Sequence, residues 1–424
     1  KLRRDNLDRI EYNMTLEADN TPGMSRTIAE RWKELSGLDN WKNLLYPLDL
    51  DLRQYIIHYG ETAQVTYDTF NSDEKSKYAG SSRYGKSNLF AMVGLELGNP
   101  FKYKPVKYIY ATSQIALPAA FLLKSLSRES WCKESNWMGY IAVATDEGKV
   151  ALGRRDILIA WRGSVQALEW VDDFIFPLTS ASILFGKHSC ANVHSGFLSI
   201  YTSADPKSKL NKISARDQVL AEVKRQVEIY KDEEISITVA GHSLGGSLAT
   251  LNAVDIATNG YNVPKDQPGK RCHVTAFIFA SARVGDSHFH DAFHSTENLH
   301  ALRINNASDP IPLLPPAGFS DVGEELLIDT TKSNYINFTG DLASRHNLEA
   351  AYLHGVAGTQ GPNGGFHLVV KRDIALVNKH TGLLKEKYLV PNFWWIERNK
   401  GMVQLDDGSW DLDHHVKDDD DDEV

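Results

Sequence analysis

Residues 235–246 read Ile-Ser-Ile-Thr-Val-Ala-Gly-His-Ser-Leu-Gly-Gly, and this stretch restricts the fold more than any other in the chain. The β-branched run Ile235–Ala240 predicts a buried strand, and Gly246–Val254 predicts a helix. Between them lies Gly241-His242-Ser243-Leu244-Gly245, a G-x-S-x-G. Strand, sharp turn and helix is the setting in which this pattern forms a nucleophile elbow. Ser243 then occupies a strained turn with its hydroxyl pointing out. A side chain at Gly241 or Gly245 would collide with the neighbouring strand or helix. The turn also puts the Leu244 N–H at a helix N-terminus, where partial positive charge can meet an oxyanion.

An activated serine needs a base, and the base needs a carboxylate to orient it. In folds built on a nucleophile elbow these follow the serine in the order acid, then histidine, which excludes every histidine before Ser243. Asp309 is the carboxylate candidate. It follows the predicted strand Leu299–Ile304 and is held by Pro310-Ile311-Pro312-Leu313-Leu314-Pro315-Pro316. A rigid loop at the carboxyl end of a strand is where a fixed site residue belongs. Six histidines follow: His346, His354, His367, His380, His414 and His415. His346 is preferred because it opens a predicted helix, Asn347–Leu353, directly after an irregular stretch. His354, near the end of that helix, is the competitor, at a position suited to packing or capping. A second oxyanion donor is expected from Ser164, where the predicted strand Asp156–Trp161 ends in Arg162-Gly163.

The remaining sequence places this site in a large α/β domain. Predicted strands at Trp137–Ala144 and Val274–Ala280, and helices at Ser214–Tyr230 and Asp286–His294, alternate in the manner of a mostly parallel sheet with helices on both faces. Asp146-Glu147-Gly148 reads as a hairpin turn. The pattern divides the chain into a mainly helical extension (1–95) packed on the core, an α/β-hydrolase-like domain (96–416) and an acidic tail (417–424). Within the extension a capped helix begins near Ser25, and a second runs from Pro47 to Gly60. The net charge of −9 argues against nucleic acid as a partner. The longest apolar run, Ile115–Leu123, contains Pro118 and falls well short of the roughly 18 residues of a membrane span. Three scattered cysteines, Cys132, Cys190 and Cys272, read as free thiols in a reducing compartment and give no disulfide framework or metal cluster. The apolar segment Asp173–Phe185, with Phe174, Phe176 and Phe185, is a candidate lipid-facing surface or lid; an ordinary packed loop is the other reading.

Taken together, the motifs resemble the lipase class 3 family. They are Ala160-Trp161-Arg162-Gly163-Ser164, Val193-His194-Ser195-Gly196-Phe197 with Tyr201, Gly241–Gly246, Phe279-Ala280-Ser281-Ala282-Arg283-Val284-Gly285 and Asp309-Pro310-Ile311-Pro312. Ala282 stands where that family usually has proline. The flanks are similar to a narrower group, the plant phospholipase A1 enzymes related to DAD-type lipases. They carry Trp32–Gly37 with Trp41, Leu44–Asp49, Tyr108–Ser113 and His346–His354. The resemblance implies an α/β-hydrolase fold and a triad of Ser243, Asp309 and His346. It also implies a cofactor-free, metal-free serine hydrolase that releases the sn-1 fatty acid of phospholipids. Lys1–Asn20 does not read as a transit peptide, so the cytosolic subgroup is expected. A triacylglycerol, monoacylglycerol or galactolipid lipase of the same fold, or a lipase-like scaffold without catalysis, are the competing expectations.

Overall fold

The structure is a computed structural model of the 424-residue chain and describes residues 26–124, 126, 135–164, 177–338, 340–395 and 401–412. Its centre is a seven-stranded sheet: β1 (Tyr103–Ala111), β2 (Asn136–Ala144), β3 (Arg155–Trp161), β4 (Ile235–His242), β5 (His273–Phe279), β6 (Leu299–Asn306) and β7 (Glu324–Ile328). Each strand lies beside its predecessor in the chain. The first three pair antiparallel, and β3 to β7 run parallel. Every residue of β2 to β5 is buried. A strand covered on both faces carries apolar residues in succession, which is why these segments read as unbroken hydrophobic runs.

Two helices of the N-terminal region cover one face. The first, α1 (Ile28–Leu35), starts with a capping box in which Thr27 and Glu30 satisfy each other's backbone N–H. The second, α2, spans Leu50–Asp68 and is capped by Asp49, whose carboxylate accepts from the Leu52 N–H at 3.0 Å. The sequence pattern ended this helix at Gly60, yet it runs on. A Cβ on Gly60 would come within 2.2 Å of Leu353 Cδ2, so a helix-weakening residue serves close packing there and does not mark an end. Tyr59 on α2 stacks on Phe277 with ring centroids 4.9 Å apart, and its hydroxyl donates to buried Asp156 at 2.9 Å.

The other face carries α3 (Ala215–Ile229) and α4 (Leu244–Thr258). Strand side chains alternate between these two cores. Ile157, Ile159 and Trp161 join Val219, Val223 and Leu248, whereas Leu158, Ala160 and Phe279 join Leu52, Tyr55 and Ile56. The expected hairpin turn at Asp146-Glu147-Gly148 is instead a helix, Asp146–Leu152. Thr145 caps it by accepting from the Gly148 N–H at 3.1 Å, and Gly153 ends it at φ 76°. An acidic pair after threonine is a helix start as readily as a turn, and the capping threonine decides between them.

The C-terminal region is tied back to α2 through a buried carboxylate. Asp68 accepts from Lys379 Nζ and from His380 Nε2, each at 2.7 Å, and from Gln64 Nε2 at 2.9 Å. Burial alone would push the Asp68 carboxyl up, but Lys379 and His380 outweigh it and hold it at about 2. A depressed carboxylate stabilises the fold above its ordinary value of 3.8, and the contribution disappears as pH falls toward 2. Lys379→Ala strands that charge and is expected to cost about 3–5 kcal/mol at neutral pH, read as a lower urea midpoint. The deficit should narrow in acid, where Asp68 is protonated in both proteins. An unchanged midpoint at neutral pH would contradict the role.

Candidate active site

The site is built at the carboxyl ends of β3, β4 and β6. At the end of β4 the chain turns sharply, with Ser243 at φ 58° and ψ −128°, and α4 begins at the next residue. The Ser243 N–H donates to the Phe279 carbonyl at 2.9 Å, which pins the turn to the end of β5. The glycines serve close approach. A Cβ on Gly241 would lie 2.1 Å from the Gly245 carbonyl oxygen, and one on Gly245 would lie 2.3 Å from that of Trp161. No side chain fits in either place, so the turn can present functional groups only from the three residues between them, His242, Ser243 and Leu244. Ser243 is buried, and its hydroxyl has no hydrogen-bond partner among the described residues. Leu244 is the first residue of α4, where the helix offers its N–H no acceptor.

Asp309 follows β6 and is 4% exposed, and donors occupy both of its oxygens. Oδ1 accepts from the Ile311 N–H at 3.0 Å. Oδ2 accepts from the Tyr352 hydroxyl at 2.6 Å and from His346 Nδ1 at 2.7 Å. An ionised carboxylate only accepts, so the His346 proton sits on Nδ1. His346 is itself 2% exposed. It does not open the following helix as expected. It is the last residue of a short helix, Leu342–His346, and Asn347 caps the wide-turned π-helix Leu348–Leu353 by accepting from the Ala350 N–H at 2.7 Å. His346 therefore stands at a break between two helices, set by the capping asparagine.

His354 belongs to a different environment. It is buried and hydrogen bonded to Ser333 at 2.8 Å, with its ring 4.9 Å from that of Phe366. Burial pushes its pKa down to about 3. Ser164 lies beyond the end of β3, buried, in a loop that the buried Arg162 holds. The Arg162 guanidinium donates to the carbonyls of Gly163 at 2.7 Å and Trp137 at 3.0 Å. Of the apolar segment Asp173–Phe185, Phe174 and Phe176 lie outside the described residues. Phe185 is half-buried, its ring centroid 5.8 Å from that of Phe289 in an edge-on arrangement, so it lends a face to the core, while Leu178 and Ile183 are exposed. A cleft of about 890 Å³ beside α2, lined by Glu61, Asp68, Glu349 and Arg372, includes none of Ser243, Asp309 and His346.

Sequence reasoning overlooked three side chains here. Tyr352 donates to Asp309. His242, which the G-x-S-x-G pattern leaves free to vary, sits between Tyr67 and His346: its Nδ1 is 2.7 Å from the Tyr67 hydroxyl, and its Nε2 is 2.7 Å from the His346 carbonyl oxygen. The His242 and His346 rings are 4.6 Å apart, which brings the Asp309–His346 pair beside the elbow. These partners lie far away in the chain, so spacing carried no signal for them.

A mostly parallel sheet with a serine turn after β4, an acid after β6 and a histidine beyond it defines an α/β-hydrolase. The chain belongs to the lipase (class 3) family, whose profile matches residues 158–319. It is 55% identical over 403 residues to phospholipase A1-IIgamma of Arabidopsis thaliana, covering 94% of this chain and 96% of that protein. It is 51% identical over 394 residues to phospholipase A1-II 1 of Oryza sativa subsp. indica, covering 92% and 98%. Among solved structures, the lipase from Rhizopus microsporus var. chinensis superposes with a TM-score of 0.43 at 19% identity, over 76% of this chain and 91% of that one.

Proposed function

We propose that this protein is a serine acyl-ester hydrolase that releases the sn-1 fatty acid from phospholipids through an acyl-enzyme. The observation that carries the chemistry is the buried Asp309–His346 pair, 2.7 Å apart and held against the elbow that presents Ser243. The substrate class rests on relatives named phospholipase A1 that are more than half identical over nearly the whole chain.

With its proton on Nδ1, His346 keeps a lone pair on Nε2. That nitrogen takes the proton as Ser243 Oγ attacks the ester carbonyl, and Asp309 stabilises the imidazolium while staying ionised. The N–H groups of Leu244 and Ser164 receive the tetrahedral oxyanion, each such donor being worth about 3 kcal/mol. Collapse breaks the ester C–O bond, and His346 hands its proton to the departing lysophospholipid oxygen. A water then loses a proton to Nε2 and attacks the acyl-serine; the bond to Ser243 Oγ breaks, Nε2 returns the proton to that oxygen, and the fatty acid is freed. This sequence of steps calls on no metal or organic cofactor.

Phosphatidylcholine with different chains at its two positions tests the reading. Mass spectrometry is expected to find the sn-1 acid released first. Release of the sn-2 acid first would overturn the regiochemistry, and faster turnover of triacylglycerol, monoacylglycerol or galactolipid would move the substrate class. A fluorophosphonate that fails to label Ser243 would favour a non-catalytic scaffold. No helix among the described residues is long and apolar enough to cross a membrane. We place the protein in the cytosol, a reading supported by the free thiols of Cys190 and Cys272. A non-reducing maleimide count below three on the denatured chain would argue against it.

A further inference from the structure

His242 and Tyr67 form a junction whose bonding directions can be worked out atom by atom. The His346 carbonyl oxygen can only accept, so His242 Nε2 carries the proton and donates to it at 2.7 Å. Nδ1 is left with a lone pair, and the Tyr67 hydroxyl donates to it at 2.7 Å. Burial, with His346 nearby, drives the His242 pKa well below the usual value, so the ring stays neutral and the pattern does not invert. The Gly163 backbone lies against the same phenol. A Cβ on Gly163 would approach the Tyr67 oxygen to 1.9 Å and the His242 carbonyl oxygen to 2.5 Å, so the loop packs directly on that hydroxyl. One hydroxyl near the end of α2 thus meets the loop before Ser164, the residue before Ser243 and, through an imidazole, the backbone of His346.

We propose that Tyr67 is a positioning residue for ester hydrolysis: through His242 its hydroxyl fixes the His346 backbone, and through Gly163 it fixes the loop that presents Ser164. The proposal rests on the triad reading given above. Without this bond the imidazole of His242 has no donor at Nδ1 and is free to turn, and the carbonyl of the base loses its anchor. Asp309 still orients the His346 ring, so catalysis is weakened and not abolished. A shift of the order of 1 Å at a reacting group costs far more turnover than binding.

Tyr67→Phe keeps the ring and removes only the hydroxyl. On a soluble p-nitrophenyl ester, kcat is expected to fall about ten- to hundredfold with KM within about twofold, matching the loss of one buried hydrogen bond. His242→Gln can keep an amide donor for the His346 carbonyl but has no atom at the position of Nδ1 to accept from Tyr67, and a similar fall is expected. The double variant should lose less than the product of the two single losses, because both act through one bond. A Tyr67→Phe kcat within twofold of wild type, or a double loss equal to the product, overturns the proposal. Labelling separates it from the reading beneath it. If a fluorophosphonate does not modify Ser243 in the wild type, the triad assignment fails and takes this inference with it. If Ser243 is labelled in the wild type and at the same rate in Tyr67→Phe, the Tyr67 inference alone fails.

Discussion

Alanine in place of Ser243 is expected to lower ester turnover by a factor on the order of a million, the loss seen when a triad nucleophile is deleted. The protein should otherwise be unchanged. The Ser243 hydroxyl makes no hydrogen bond among the described residues, so its removal breaks no stabilising contact. The backbone at φ 58° is no more strained with alanine than with serine, since both carry a Cβ. The thermal midpoint should therefore stay within about a degree while p-nitrophenyl ester hydrolysis disappears. A variant that melts normally and keeps a tenth of its activity would remove Ser243 from the mechanism.

His346→Ala should cost nearly as much, about five to six orders of magnitude in kcat, because serine and base act as a unit. The informative control is His354→Ala. That side chain is buried against Phe366 and hydrogen bonded to Ser333, so truncating it leaves a cavity and an orphaned polar group. It should lower the urea midpoint and leave kcat within a few-fold of wild type. The two substitutions thus separate a chemical loss from a structural one. Activity that survives at His346→Ala and vanishes at His354→Ala would exchange their roles.

How far the sequence foretold these features depended on the range of the forces that set them. The elbow was legible because its constraints are local: strand, glycines, serine and helix lie within one stretch. Asp309 and His346 were legible through chain order and loop rigidity, although the helix break at Asn347 was not, since a capping asparagine looks like any helix-opening residue. β1 escaped a strand reading because only Ile109 and Ala111 in it are fully buried, so its hydrophobic pattern is weak. β7 is five residues long, too short to show a period. The extent of α2 was hidden by Gly60, whose purpose appears only when Leu353 is in place. Tyr67 and His242 were silent for the same reason: their bond joins residues 175 apart.

The placement of α2 bears on what part of this chain can stand alone. Residues 158–319, the portion that matches the family profile, contain Ser243 and Asp309 but not His346. They also lack Tyr55, Tyr59 and Leu353, which cover Phe277 and Phe279 on one side of the sheet. An excised piece of that length would lack His346, the proposed base, and would have one face of its sheet bare to water. The recognisable segment is thus a signature of ancestry and not a portable enzyme. Shuffling it between relatives transfers only part of the proposed site unless the helix from the front of the chain and the histidine loop from the back travel with it.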